Sequence, residues 1–267
     1  MVLRLTFKRN LIPQEFKLTT KNLNKIIMKT LKILIAVVAV TALTSCNFDI
    51  NFGQVNGNGN VTTEERPVSS DFDQVKGSAG LDVYLTQGDE NKIVVEADEN
   101  LQEFIETEIN NGKLHVTTIK SIGRSKAKKV HVTYVNVNHV AASSGADVIV
   151  NSVLKNENIT LDASSGADLE VEIMAKEVFA ETSSGADIKV TGKATSLKAS
   201  ASSGSELNAR ELLVINCKAD ASSGGDIVVN VKEKLQSEAS SGGNIKYYGD
   251  PAAVSKNDSH SGSVRKM

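Results

Sequence analysis

Ser143-Ser144-Gly145-Ala146-Asp147-Val148-Ile149-Val150 is the stretch that decides the fold, because it returns along the chain. Ser-Ser-Gly recurs with glycine at 166, 185, 204, 224 and 242, and a weaker Ser-Gly ends at Gly262. The intervals are 21, 19, 19, 20, 18 and 20 residues, a period that signals stacked supersecondary units.

Aligned on that glycine, the repeats form columns. Three residues after it stand Val148, Leu169, Ile188, Leu207, Ile227 and Ile245; five after it stand Val150, Val171, Val190, Ala209, Val229 and Tyr247. Three before it stand Ala142, Ala163, Thr182, Ala201, Ala221 and Ala239; seven before it, from the second repeat on, stand Ile159, Val178, Leu197, Cys217 and Leu235. The offsets are odd on both sides, so each repeat holds two short strands whose alternate residues face the same way, joined at Ser-Ser-Gly. Stacking places like over like and buries faces that no single repeat could bury. The prediction is an all-β, right-handed parallel β-helix-like solenoid with repeats of about 20 residues. An antiparallel β-sandwich of hairpins fits the same alternation, but the column register favours the solenoid. The small residues around Gly145, Gly166, Gly185, Gly204, Gly224 and Gly242 suggest a tight corner that bulk would clash with, and glycine supplies backbone freedom there.

Upstream of the repeats, period-two alternation marks further strands at Leu81-Val83-Leu85, Ile93-Val95, Leu114-Val116 and Val130-Val132-Tyr134. Turn chemistry separates them at 87–91 and 110–112, and Glu99 to Glu106 suits a short helix. The solenoid domain is expected over 61–264. Residues 46–60, rich in Asn and Gly, read as a lipidated cysteine followed by a flexible tether.

Residues 28–45 carry a secretory signal: Lys29 and Lys32, an uncharged run from Ile33 to Leu43, then Leu43-Thr44-Ser45-Cys46. The run is shorter than the roughly 20 apolar residues a membrane span needs. Leu-Thr-Ser-Cys resembles the lipobox of bacterial lipoproteins, and that resemblance implies lipidation of Cys46. Residues 1–27 hold six basic residues and no signal pattern of their own, and read as lying upstream of the true start. With Cys46 lipidated, only Cys217 remains, so no intrachain disulfide forms.

Residues 1–45 hold eight basic residues and one acid, which leaves 22 basic and 31 acidic residues from Cys46 on, a net charge of −9. A domain this acidic repels nucleic-acid phosphates.

Phe72-Asp73-Gln74-Val75, Gly80-Leu81-Asp82-Val83-Tyr84-Leu85 and the Ser-Ser-Gly-Ala-Asp units together resemble the putative auto-transporter adhesin, head GIN domain family. The resemblance covers about residues 61 to 264. It implies an all-β, β-helix-like domain at the cell envelope, in a family common as lipoproteins of Bacteroidetes, and it brings no catalytic motif.

The sharpest chemical feature is the column two after each glycine: Asp147, Asp168, Asp187, Glu206 and Asp226, closed by Asn244. Stacked carboxylates invite Ca²⁺, yet the Ca²⁺-binding β-roll has a roughly nine-residue repeat that this chain lacks. The reading adopted is that each side chain accepts hydrogen bonds from N–H groups of its own corner, with no metal and no other cofactor. The corner serines lack a nearby histidine in sequence. His131 and His139 could approach each other, but no further ligand completes a metal pattern. Cys217 sits in an apolar column and reads as an inert packing residue. A β-helix polysaccharide-processing enzyme would need aromatic platforms; Trp is absent and aromatics total 4%. The function expected is therefore a non-enzymatic lipoprotein of the outer membrane, with an adhesin-like domain that binds or displays. Its partners are the membrane, through the lipid, and a glycan or protein ligand. A structural envelope protein without specific ligand is the alternative, ahead of an enzyme.

Overall fold

In the computed structural model, residues 53–259 and 261–267 are described; residues 1–52, with the signal peptide and Cys46, lie outside them. Five long strands each run one coil from corner to corner: β9 (Asp147–Ser164), β10 (Asp168–Ser183), β11 (Asp187–Ser202), β12 (Glu206–Ala221) and β13 (Asp226–Ala239). They pair in parallel in chain order. The last coil is divided among β14 (Asn244–Tyr248), β15 (Ala253–Asp258) and β16 (Ser263–Lys266). The result is a parallel β-solenoid of about seven turns, roughly 19 residues each, as the columns require, and not the antiparallel sandwich.

The register is the one the columns define. Val148, Leu169, Ile188, Leu207, Ile227 and Ile245 stack in one row, and Ile159, Val178, Leu197, Cys217 and Leu235 in another. Both rows are buried. Burying a Val, Leu or Ile side chain yields about 1.5–3 kcal/mol, so each coil is held mainly by its neighbours. Repeat-length differences are absorbed at the bend between the two halves of a coil. The register slips at Val171/Ile173, at Lys189/Gly192 and between Ala209 and Asn216.

Each corner is a β-turn with two successive left-handed residues, the sign pattern of a type I′ turn. Ser144 and Gly145 have φ of 53° and 71°, and the same pair recurs at every Ser-Gly up to Ser241-Gly242. The Ala146 N–H donates to the Ser143 carbonyl across the turn, and the Gly145 N–H donates to the Ser165 carbonyl of the next coil. That inter-coil bond repeats from Gly166, Gly185, Gly204 and Gly224. The corner is not crowded, contrary to the expectation from its small residues. A methyl group on Gly145, Gly166, Gly185 or Gly204 would meet nothing within 4 Å. Glycine serves there for its φ, not for space.

The N-terminal end is a crossed cap. Its strands are β1 (Val61–Arg66), β2 (Gln74–Gly77), β3 (Asp82–Gln87), β4 (Lys92–Asp98), β5 (Ile105–Asn110), β6 (Lys113–Thr118), β7 (Lys128–Tyr134) and β8 (His139–Ser143). On the strip that follows the corners the order is β1-β4-β7-β3-β9; on the other it is β5-β6-β2-β8-β9. Only β1/β4, β4/β7 and β5/β6 are antiparallel. The short helix is a 3-10 helix, Glu99–Phe104. It is pinned by buried Gln102, whose amide donates to the Thr62 and Val95 carbonyls.

The tether expectation fails from Val55 onward. Val55 bridges Ile122, the Gly57 N–H donates to the Arg124 carbonyl, and the Gly59 N–H donates to the Asp98 carboxylate. Asp98, 1% exposed, also accepts from the Lys126 and Ala127 N–H groups. Burial alone would raise its pKa, but those three backbone donors and the Lys126 charge hold it below the ordinary carboxylate value. A composition that reads as flexible is thus fixed by one buried anion.

Candidate functional site

The carboxylate column is longer than the Ser-Ser-Gly motif shows. Asp82 pairs with Asp147 in register, so the row runs Asp82, Asp147, Asp168, Asp187, Glu206, Asp226, Asn244 and Ser263. Ser78-Ala79-Gly80-Leu81-Asp82 is a degenerate first corner, with Ala79 and Gly80 at φ 59° and 73°. Its signal lay in the offsets: Asp82, Val83 and Leu85 fall two, three and five after Gly80.

The side chains of this row do not accept from their own corners. Asp187 Oδ1 accepts from the Glu206 N–H one coil on, and Asn244 Nδ2 donates to Asp226 Oδ1. The row's backbone N–H groups go to the preceding coil instead, as when the Asp168 N–H donates to the Ala146 carbonyl. Burial, the Asp147 charge and a hydrogen bond with Asp147 push the Asp168 pKa up, the signature of stacked like charges. Among the described residues, no three His, Cys, Asp or Glu side chains converge as a metal site would require.

The histidines are scattered over different strips. His131 stacks on Tyr84 and meets Glu96 at 3.1 Å, on the β4-β7-β3 strip. His139 meets Asp162 at 2.6 Å, where β8 pairs with β9, so it does not join His131. A third, His115, lies 3.0 Å from Ser78 Oγ, a Ser–His contact between distant segments that the sequence did not reveal. The Ser78 hydroxyl is also within hydrogen-bond reach of the Val116 carbonyl. The hydroxyl has one proton for the Val116 carbonyl and His115 Nε2, and the imidazole tautomer decides which of the two receives it. Burial, then Lys76, hold the His115 pKa down. Cys217 is buried, and burial pushes its thiol up to about 12, far from the thiolate range a nucleophile needs.

Two concavities of the described surface stand out by volume. One, about 660 Å³, lies in the cap where four loops meet and is lined by Asp71, Phe72, Asp73, Asn91, Asn111, Gly112, Val135 and Asn136. Its polar groups are largely spent on one another: Asn91 donates to Asp71 and accepts from the Val135 N–H, and Asn138 donates to Asp73. The other, about 440 Å³, runs across four coils on the strip that precedes the corners. Two outward rows line it, Glu177-Ser196-Asn216-Lys234 and Phe179-Lys198-Lys218-Gln236, above the buried row that holds Cys217.

Regular in-register ladders over stacked parallel coils define the class of this protein as a parallel β-solenoid. The chain belongs to the family described as putative auto-transporter adhesin, head GIN domain, whose model matches residues 71–251. Solved structures agree on the fold. A putative adhesin from Bacteroides fragilis superposes with a TM-score of 0.74 at 18% identity, covering 80% of this chain and all of that one. A putative lipid binding protein from Parabacteroides distasonis gives 0.67 at 21%, covering 80% and 99%. A putative adhesin from Parabacteroides merdae gives 0.61 at 22%, with the same coverage. No curated protein matches the chain in sequence.

Proposed function

We propose that this chain is a cell-envelope lipoprotein, anchored through Cys46, whose solenoid binds a surface ligand without transforming it. The observation that carries this reading is the distribution of polar groups. They are spread as equivalent ladders over several coils, where catalysis needs unlike groups brought to one point. Membership of an adhesin family and the adhesin-like fold neighbours support the same reading. The family's occurrence in Bacteroidetes and the Leu43-Thr44-Ser45-Cys46 motif support an outer-membrane location.

Two measurements test it together. Cells expressing the wild type are labelled with a fatty-acid analogue and fractionated beside Cys46→Ala; the wild type is expected to carry label, and the variant to leave the membrane. The purified full chain is then screened on arrays of glycans and matrix proteins, with product analysis of every hit. Reproducible retention of an unaltered ligand supports the reading. Turnover of a hit would overturn it in favour of an enzyme, and a blank array in favour of a structural envelope protein.

A further inference from the structure

We infer that the groove across β10, β11, β12 and β13 is a binding site for an acidic polysaccharide laid along the solenoid axis; this rests on the binding reading above. Lys198 and Lys218 are register partners, one coil apart, so their backbones are separated by about 4.8 Å. Like charges directly opposite each other weaken a sheet. Other lysines of these coils are met by acids: Glu157 and Glu170 sit one coil from Lys176 and Lys189 and pair with them. Lys234 adds a third cation beside Lys218. Among the described residues, neither Lys198 nor Lys234 lies within ion-pair distance of a carboxylate, while Lys218 is 3.5 Å from Asp220. Phe179, next in the row to Lys198, is a large apolar side chain left 44% exposed. A choice that costs folding energy and has no packing reason is what a binding surface leaves behind.

The acids nearby narrow the ligand. Glu177 closes one end, and an adjoining hollow shares Lys218 with Ser200, Asp220, Ser222 and Glu238. A bare polyanion would meet those carboxylates with repulsion. A sugar acid meets both halves: its carboxylate or sulfate lies against the lysines, its hydroxyls donate to Asp220 and Glu238, and a ring face covers Phe179. A linear chain along the axis meets one such rung about every 4.8 Å.

The test is binding of the purified full chain to polygalacturonate, beside neutral dextran and inorganic polyphosphate, at low and high salt. Polygalacturonate is expected to bind and the other two are not. Lys198→Gln with Lys218→Gln should weaken binding about tenfold, within the range that two exposed ion pairs supply. Lys155→Gln with Lys193→Gln, on the bends of β9 and β11 and outside the groove lining, should leave it unchanged, and unchanged melting shows that every variant folds. Polyphosphate binding as well as polygalacturonate, or equal loss in both double variants, would show plain charge attraction and overturn the site. Failure to bind polygalacturonate also overturns it; retention of a neutral glycan or a protein in that case leaves the binding reading standing.

Discussion

A methyl group on Gly225 would stand 2.4 Å from the carbonyl oxygen of Ala201 in the coil before. Gly243 has the same relation to Ala221, and Gly262 to Ala239. The position is one residue past the corner glycine, and earlier coils fill it with Ala146, Ala167, Ala186 and Ser205. Where glycine replaces them the coils close differently: the Ser222, Ser240 and Ser259 N–H groups donate to those same carbonyls. Gly262 thus belongs over Gly243 and not over Gly242, as the Asn244–Ser263 register confirms.

Gly225→Ala should therefore destabilise more than Gly185→Ala, although Gly185 is the one inside the repeated Ser-Ser-Gly motif. At Gly185 the cost is the left-handed φ alone, about 1 kcal/mol. At Gly225 a backbone oxygen must move, a cost of about 3 kcal/mol. Thermal unfolding should show Tm falling by about 3 °C and about 9 °C respectively. Equal shifts would count against the difference between the two corner types.

Asp98→Ala should free the segment 55–60 from the cap. It leaves the Gly59, Lys126 and Ala127 N–H groups without their acceptor, each loss worth about 1–3 kcal/mol. Amide exchange at these three positions should accelerate far more than in β10 or β11. The pH dependence follows from the lowered pKa. The stabilisation is complete above the ordinary aspartate value of 3.8 and is lost as pH falls through the lower folded value. Protection of these amides should be flat from pH 5 to 8 and drop only in acid.

Asp168→Asn should raise Tm slightly at neutral pH. The raised pKa of Asp168 means that its ionised form disfavours the folded state. The penalty is present above the folded pKa and disappears as pH falls below the ordinary value. Solvent screens these exposed groups, so a gain of only a few tenths of a kcal/mol is expected, and the advantage over wild type should vanish in acid. Chelator is expected to leave wild-type Tm unchanged. A rise of more than about 10 °C in millimolar Ca²⁺ would instead mark the column as a cation site, through linkage to the native state.

Tyr134→Phe should be neutral or stabilising. The Tyr134 side chain is 1% exposed and its hydroxyl has no partner, so removing the oxygen removes an unmet desolvation cost of about 1–3 kcal/mol. A clear loss of stability in chemical denaturation would show that the hydroxyl is satisfied in solution.

What could be read from the sequence alone was whatever repeats. A parallel solenoid places equivalent residues over one another, so the rows through Val148 and Ile159 appear as columns in the text, and the corners as Ser-Ser-Gly. Periodicity carries burial and register, because alternation and stacking are local rules. It carries nothing about segments that cross. That β7 lies beneath β3, that Asp82 extends the carboxylate row, and that His115 meets Ser78 depend on contacts between residues far apart in sequence. The Asn-Gly run at 55–60 is fixed by Asp98, some forty residues away, which no local composition could show. The groove is of the same kind. Lys198 and Lys218 are two ordinary surface residues in the text and become facing cations only when β11 is laid against β12.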